Sequence, residues 1–248
     1  MNENLNETPE YLVAKMDFSK LAFLRDPYPI GLATKVFHDI PYRAMIEGFP
    51  PIDLLKHWGG KEYNKYVLNE RMSIEFHEYI SEHPIWWAFH NSIKKPEFPE
   101  FIFFILKSHG IEIAPNPDGW TTRFEFSAMP AEGGWIVPHT DIYSKAVTLI
   151  FSILGPGEWN PSWGGGTDVL VPKDPTAQYK DYKAPLELFD RVETFNYKPN
   201  QCIIFIKTEN SWHSVGPIQG PAGKWRRTLT LNIERADKAK EWKFRPNK

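Results

Sequence analysis

The chain has 248 residues, of which 42% are hydrophobic and 15% aromatic, and its formal net charge is -2. Its length and apolar content allow a sizeable core, whereas its small and dispersed charge excludes a general binder of nucleic acid or membrane surfaces, which needs a concentrated basic face. Cys202 is the single cysteine, so no disulfide can form within the chain.

The N-terminal segment is polar and acidic and lacks the basic and apolar regions of a secretion signal. No apolar stretch approaches the ~18 residues of a membrane span. Together with the lone cysteine, these features predict a cytoplasmic protein that has neither a membrane nor a nucleic acid as partner.

The first half of the chain, residues 12–118, has patterns typical of helices and irregular segments, with frequent prolines. We predict a mostly helical supporting layer here. The predicted helices span residues 51–58, 69–80, 84–93 and 98–107, and the pair His109-Gly110 is typical of a helix C-terminus.

After residue 119 the pattern changes to short β-type runs separated by glycine and proline, up to residue 235. The predicted strands span residues 121–128, 134–137, 146–154, 167–171, 201–206 and 225–235. Many short strands at this spacing are typical of a sandwich or a jelly roll. Because no composition shift marks a linker, we predict a single domain over residues 1–248, mainly β with an α-rich N-terminal layer.

The strongest chemical signal is the motif His139-Thr140-Asp141, which a later histidine, His213, joins. Alternate residues of an extended strand point the same way, so His139 and Asp141 are expected to share one side. His213 follows the apolar strand that ends at Ile206, which predicts a position at the exit of that strand. Two imidazoles and one carboxylate on one face of a metal are typical of non-haem iron oxygenases, although His-x-Asp alone is common by chance.

A second signal is the alternating segment at residues 225–233, in which one face carries Arg226, Thr228, Thr230 and Asn232 and the other is rich in leucine. An inward arginine is costly unless it meets an anion, and its planar fork suits a carboxylate. A small dicarboxylate that chelates a metal and reaches Arg226 and Thr228 would satisfy these groups. The alternatives are an ordinary surface ion pair, or Arg227 in this role if the register shifts by one residue.

These motifs resemble the 2-oxoglutarate- and iron(II)-dependent oxygenase superfamily, and within it the prolyl-hydroxylase-like branch. The matching elements are His139-Thr140-Asp141, Gly165-Gly166-Thr167-Asp168, Phe205 before His213, and Arg226-Arg227-Thr228. The resemblance covers residues 119–235 and implies a double-stranded β-helix (jelly roll, cupin-like) catalytic core.

The resemblance also implies the roles of five residues. His139, Asp141 and His213 would bind Fe(II) and form the catalytic centre, and Arg226 with Thr228 would bind the distal carboxylate of 2-oxoglutarate. The chain departs from the branch at Met129 and Ser152, where several members carry tyrosines. The acidic ligand Asp141 separates the chain from the halogenases, which have a small residue at this position.

The resulting prediction is a dioxygenase that hydroxylates a small-molecule or carrier-linked substrate with dioxygen, releases succinate and CO2, and uses ascorbate as a reductant. The alternatives are a non-catalytic cupin-like protein that binds metal or carbohydrate, and a structural interaction domain whose histidines meet by chance. A second metal site at His77, His83 and His90 is disfavoured, because Pro84 interrupts that helical region.

Overall fold

The computed structural model describes residues 16–71, 73–177, 179 and 183–239. These residues form one 12-stranded antiparallel sheet, with helices packed on one side. The strands are β1 (Ala22–Leu24), β2 (Ile30–Thr34), β3 (Lys56–Trp58), β4 (Tyr63–Asn69), β5 (Trp120–Pro130), β6 (Trp135–His139), β7 (Lys145–Ser152), β8 (Thr167–Pro172), β9 (Phe189–Phe195), β10 (Gln201–Ile206), β11 (His213–Val215) and β12 (Trp225–Arg235). The helices are α1 (Asp39–Glu47), α2 (Ile74–Glu82), α3 (Pro84–Ile93), α4 (Glu97–Ser108) and α5 (Ala236–Ala239).

Two facing layers of four strands make up the core of the molecule. The larger layer has the order β10-β7-β12-β5 and is extended by β2 at one edge and β4 at the other, and the smaller layer has the order β6-β11-β8-β9. Strand β4 also pairs with β6, which joins the layers. This interleaving of antiparallel strands is a double-stranded β-helix, so the predicted fold class, mainly β with an α-rich N-terminal layer, is confirmed.

The alternation in β12 decides which face meets the helices. Leu229, Leu231 and Ile233 are fully buried in the main hydrophobic cluster, together with residues of α2, α3 and α4. The residues between them face the space between the two sheets, because successive side chains of a strand point to opposite faces. The predicted division of this strand into a buried leucine face and a polar inner face therefore describes the fold correctly.

Helices α3 and α4 lie where the sequence predicts them, at residues 84–93 and 98–107. Pro84 is the first residue of α3, where its missing amide hydrogen costs nothing. Helix α4 ends as expected at His109-Gly110: the amide of Ile111 donates to the carbonyl of Leu106 at 2.9 Å, and Gly110 has φ +70°. This left-handed backbone is the usual end of a helix and favours glycine.

The helix predicted at residues 51–58 is wrong. A single 3₁₀ turn, Ile52–Leu54, leads into β3, which pairs with β4 in a hairpin. The helix predicted at residues 69–80 begins later, at Ile74, because Asn69 ends β4 and its side chain accepts a hydrogen bond from the amide of Arg71 at 3.0 Å. Such a local turn closes the strand before the helix can start. Met72, which belongs to the helix predicted at residues 69–80, lies outside the described residues.

The described part of residues 12–118 contributes β1 to β4 as well as α1 to α4. These strands are short and lack clear alternation, so the sequence did not predict them. The assignment of residues 1–248 to a single domain stays a prediction. None of the helices within the described ranges combines the length and apolar character that a bilayer-spanning helix requires.

Candidate metal centre

The three side chains singled out in the sequence converge at one point. Potential ligand atoms of His139, Asp141 and His213 all lie within 4.8 Å of one another. His139 is the last residue of β6 and His213 the first of β11, and the two are paired across these strands. The sequence predicted that His213 lies at the exit of β10. Instead, His213 is the first residue of the next strand, β11.

The two imidazoles are held in the same tautomer. Nδ1 of His139 lies 2.9 Å from the carbonyl of Val137, and Nδ1 of His213 lies 3.0 Å from the carbonyl of Ser211. A carbonyl oxygen only accepts, so each Nδ1 carries the hydrogen and each Nε2 presents a lone pair. A backbone acceptor of this kind is the usual support of a metal-binding histidine. The ring of Phe205 lies 4.6 Å from that of His213 and packs on this histidine.

Asp141 is buried and held at both carboxylate oxygens. Lys145 donates to Oδ1 at 2.5 Å, and the hydroxyl of Thr148 donates to Oδ2 at 2.5 Å. Burial alone would raise the pKa of Asp141, but the ammonium group of Lys145 keeps it well below its usual range. Asp141 is therefore ionised at neutral pH and fixed in orientation. Thr148 also contacts Oδ1 of Asn232 at 3.1 Å, which connects the triad to β12.

Both histidines are neutral at physiological pH. Burial, assisted by the neighbouring His213, lowers the pKa of His139 to about 3. Burial also lowers the pKa of His213, against the opposing effect of Asp141. Neutral imidazoles next to an ionised carboxylate are the protonation states in which these groups bind a divalent metal, so no proton has to be displaced first.

We predict that acid destabilises the metal-free protein through these two histidines. Below about pH 6.5 these histidines become protonated in the unfolded chain but stay neutral in the folded protein. The free energy of unfolding therefore falls as the pH falls toward 5. Each histidine contributes at most about 1.4 kcal/mol per pH unit. Urea unfolding of the metal-free protein at pH 7 and pH 5.5 measures the loss. The variant His213→Gln should lose less stability over the same interval, and an equal loss would contradict the prediction.

Arg226 is buried, with 4% of its surface exposed, and its guanidinium has no carboxylate within 4 Å among the described residues. Nε donates to the carbonyl of Gly165 at 2.6 Å, and the guanidinium carbon lies 5.0 Å from the ring centre of Tyr197. Burial lowers the pKa of Arg226 to about 10, so the group remains charged at neutral pH. A buried, charged and unpaired guanidinium is costly in an isolated protein and is the natural receptor for an anion.

Arg226 faces the same interior space as the triad. Its Nη2 lies 3.5 Å from Oγ1 of Thr167 on β8. Thr167 is two residues before Val169, or ~7 Å along the strand, and Val169 pairs with His213. The guanidinium of Arg226 on the larger sheet thus reaches the smaller sheet about two residues from the level of His213.

The two neighbouring arginines are clearly distinguished by the fold. Arg227 lies on the opposite face of β12, where its guanidinium donates to Glu158 at 2.6 Å and packs over the ring of Phe49. Of the two, Arg226 is therefore the one that faces the interior. Thr228 is buried on the same face as Arg226 and donates to the carbonyl of Ser127 at 3.4 Å.

Several residues around this site were not predicted from the sequence. Lys145 and Thr148 hold Asp141, and Tyr197 and Gly165 hold Arg226. Gly165 has φ +81°, and a Cβ there would lie 3.0 Å from the ring of Trp159, so this position requires glycine. The run of three glycines at residues 164–166 was the signal that could have indicated such a close approach.

Other side chains near the motifs fill space or lie away from the triad. Trp212, which precedes His213, is buried in a cluster with Leu170 and Phe189. His90 contacts the carboxylate of Glu70, and His77 contacts the backbone carbonyl of Glu70. His83 stacks on Tyr79. These three histidines are not among the described groups that could hold a metal.

Comparison with known proteins gives structural but not sequence similarity. No protein-family model matches the chain, and no curated protein sequence matches it. Among solved structures, the chain is similar to SnoN, a non-heme alpha-ketoglutarate-dependent epimerase from nogalamycin biosynthesis, with a TM-score of 0.53 and 12% identity over 92% of this chain and 83% of that chain. At this identity the likeness establishes the fold alone.

Two further solved structures match at lower TM-scores. A prolyl-4-hydroxylase from Pseudomonas putida has a TM-score of 0.47 and 13% identity over 92% of this chain and 99% of that chain. AviO1 from Streptomyces viridochromogenes has a TM-score of 0.49 and 13% identity over 90% of this chain and 94% of that chain.

Proposed function

We propose that this protein is an Fe(II)- and 2-oxoglutarate-dependent dioxygenase that hydroxylates a small-molecule or carrier-linked substrate and releases succinate and CO2. The observation that carries the proposal is that a His-Asp-His triad and a buried, unpaired arginine face the same interior space. A metal site alone would fit many functions. A metal site with a nearby receptor for a carboxylate fits a ligand that binds both at once.

The residues present fit an iron(II) ion. Nε2 of His139, Nε2 of His213 and a carboxylate oxygen of Asp141 would hold the ion, and this donor set is the one typical of non-haem iron oxygenases. Lys145 and Thr148 each hold one oxygen of Asp141, so one of them would keep the non-ligating oxygen in place.

The residues present also fit 2-oxoglutarate. Arg226 would bind its distal carboxylate through two parallel hydrogen bonds, and the hydroxyl groups of Thr228 and Thr167 lie beside it. Iron(II) with bound 2-oxoglutarate activates dioxygen, and the protein supplies position, charge and exclusion of water. Phe205 and Val169, both fully buried, form an apolar wall beside the ligands that keeps bulk water away.

The test is 2-oxoglutarate turnover by the purified protein. Protein prepared without oxygen is incubated with iron(II), ascorbate, dioxygen and 2-oxoglutarate, and succinate is measured against a boiled control. We expect succinate release that requires iron and that candidate small molecules stimulate. If the protein binds iron but forms no succinate, the non-catalytic cupin-like metal- or carbohydrate-binding protein is the better explanation.

The product distinguishes hydroxylation from related outcomes. Because SnoN is described as an epimerase, the compound that stimulates succinate release must be recovered after the reaction and its mass measured by mass spectrometry. Hydroxylation adds one oxygen atom to the compound, whereas epimerisation leaves its mass unchanged. An unchanged mass together with succinate release would keep the cofactor assignment and reject the hydroxylase.

A further inference from the structure

A second group of charged side chains lies on the inner face of the larger sheet, around the level of Thr230 to Glu234 of β12. Along this face of β12, Arg226 comes first, Asn232 contacts the triad through Thr148, and Glu234 follows Asn232. The ionic cluster, as we call it, consists of Lys65 and Arg71 beside β5 together with Arg123, Glu125 and Glu234.

The ionic cluster holds more positive than negative charge. Arg123 contacts Glu234 at 2.9 Å and Glu125 at 3.2 Å. Lys65 adds a second cation to Glu125 at 3.2 Å, and Arg71 adds one to Glu234 at 2.7 Å. Three cations therefore share two carboxylates, and no other ion pair of these five residues occurs in the part of the chain that the structure describes.

The excess charge is partly shielded from water. The side chains of Arg123 and Glu125 are 13% and 10% exposed, and that of Glu234 is fully buried. Charge removed from water without compensation is unfavourable, so an anion that entered here would be stabilised. Lys65, at 21% exposure, and Arg71, at 26%, leave the cluster open at one side to a small ligand.

A neutral donor lies between the ionic cluster and the triad. Asn232 is 1% exposed, and its Nδ2 has no hydrogen-bond partner within the part of the chain that the structure describes. It pairs in register with Arg123 on β5 and with Thr148 on β7, which donates to Asp141. A buried amide without a partner costs free energy that a ligand acceptor would recover. Oε2 of Glu234 likewise has no hydrogen-bond donor among the described residues and is held only by the ion pair with Arg71. The amide of Asn232 and the excess charge are therefore the two observations that favour an anion.

We infer that the substrate to be oxidised carries an anionic group, a carboxylate or a phosphate, which binds the ionic cluster and Asn232 while Arg226 binds the co-substrate. This inference rests on the proposed function and deepens it. Glu125 and Arg123 pair with Thr230 and Asn232, four and six residues further along β12 than Arg226, so a substrate anchored at the ionic cluster would present its neighbouring carbon atoms to the metal.

Inorganic phosphate is a suitable probe for this site. The protein is loaded with Mn(II) in place of iron and saturated with 2-oxoglutarate, so that Arg226 is occupied, and phosphate is titrated. The paramagnetic relaxation of the ³¹P signal reports phosphate held near the metal. We expect saturable relaxation in the unmodified protein. The variant Lys65→Gln removes the excess charge, and we expect it to weaken phosphate binding about tenfold.

Lys56→Gln is the matched control. Lys56 lies on the adjacent strand β3, is 56% exposed and pairs with Glu75 outside the ionic cluster. The control changes the net charge equally, so it should leave phosphate affinity unchanged. If Lys65→Gln fails to fold, Arg71→Gln removes the same charge at the other end of the cluster.

The possible outcomes separate this inference from the proposed function. A protein that binds no Mn(II) or no 2-oxoglutarate overturns the proposed function and this inference together. A protein that binds both but shows no saturable phosphate effect overturns the inference alone. So does an equal phosphate affinity in Lys65→Gln and Lys56→Gln, which would indicate a phosphate ion bound by the metal and not by the ionic cluster.

Discussion

Replacing His213 with alanine is expected to lower the affinity for iron(II) or Mn(II) by more than about 100-fold and to abolish 2-oxoglutarate turnover. Loss of a group that only supports a ligand already costs ~10- to 100-fold in metal affinity, and His213 would be a ligand itself. Titration calorimetry with Mn(II) and metal analysis after dialysis measure the effect. Activity is followed in parallel as succinate release.

The control for this prediction is His77→Ala. His77 lies on the exposed side of α2, and its ring contacts only the carbonyl of Glu70 among hydrogen-bond partners in the described residues. We expect this variant to keep the metal affinity and turnover of the unmodified protein. If His213→Ala also kept them, the triad would not be the metal site, and the proposed function would have no metal centre on which to rest.

Replacing Arg226 with glutamine is expected to weaken 2-oxoglutarate binding about 100-fold while metal affinity stays unchanged. Truncating one partner of a buried charge pair costs ~2–5 kcal/mol, and ~2.7 kcal/mol corresponds to a factor of 100. The measurement is 2-oxoglutarate titration of the Mn(II)-loaded protein, with the Michaelis constant for 2-oxoglutarate as a second readout.

The adjacent variant Arg227→Gln is a matched control, since Arg227 pairs with Glu158 on the other face of β12. It should bind 2-oxoglutarate normally. Stability offers a further distinction, because Arg226 is buried and has no carboxylate partner among the residues that the structure describes. Removing this buried charge should not lower the free energy of unfolding. A large loss of stability with unchanged 2-oxoglutarate affinity would assign Arg226 a structural role instead.

The second half of the chain was predictable because its signals are local. Strands β10 and β12 have the predicted bounds, and the alternation of β12 correctly assigned Leu229, Leu231 and Ile233 to the buried face. The period of two in a strand is visible in the sequence without knowledge of its neighbours. The first half was less predictable, since β1 and β3 have only three residues each and depend on pairing with β2 and β4.

The sequence by itself determined the fold class, the three candidate ligands His139, Asp141 and His213, and the polar face that includes Arg226, because residue type and spacing along the chain carry this information. Only the tertiary structure decided that these three candidates converge and that Arg226, not Arg227, faces the interior, with no carboxylate partner in the described ranges. The ionic cluster around Arg123 also emerged only from the fold. The physical reason is that strand pairing brings together side chains from distant segments, and their charge balance depends on which neighbours the register places within reach.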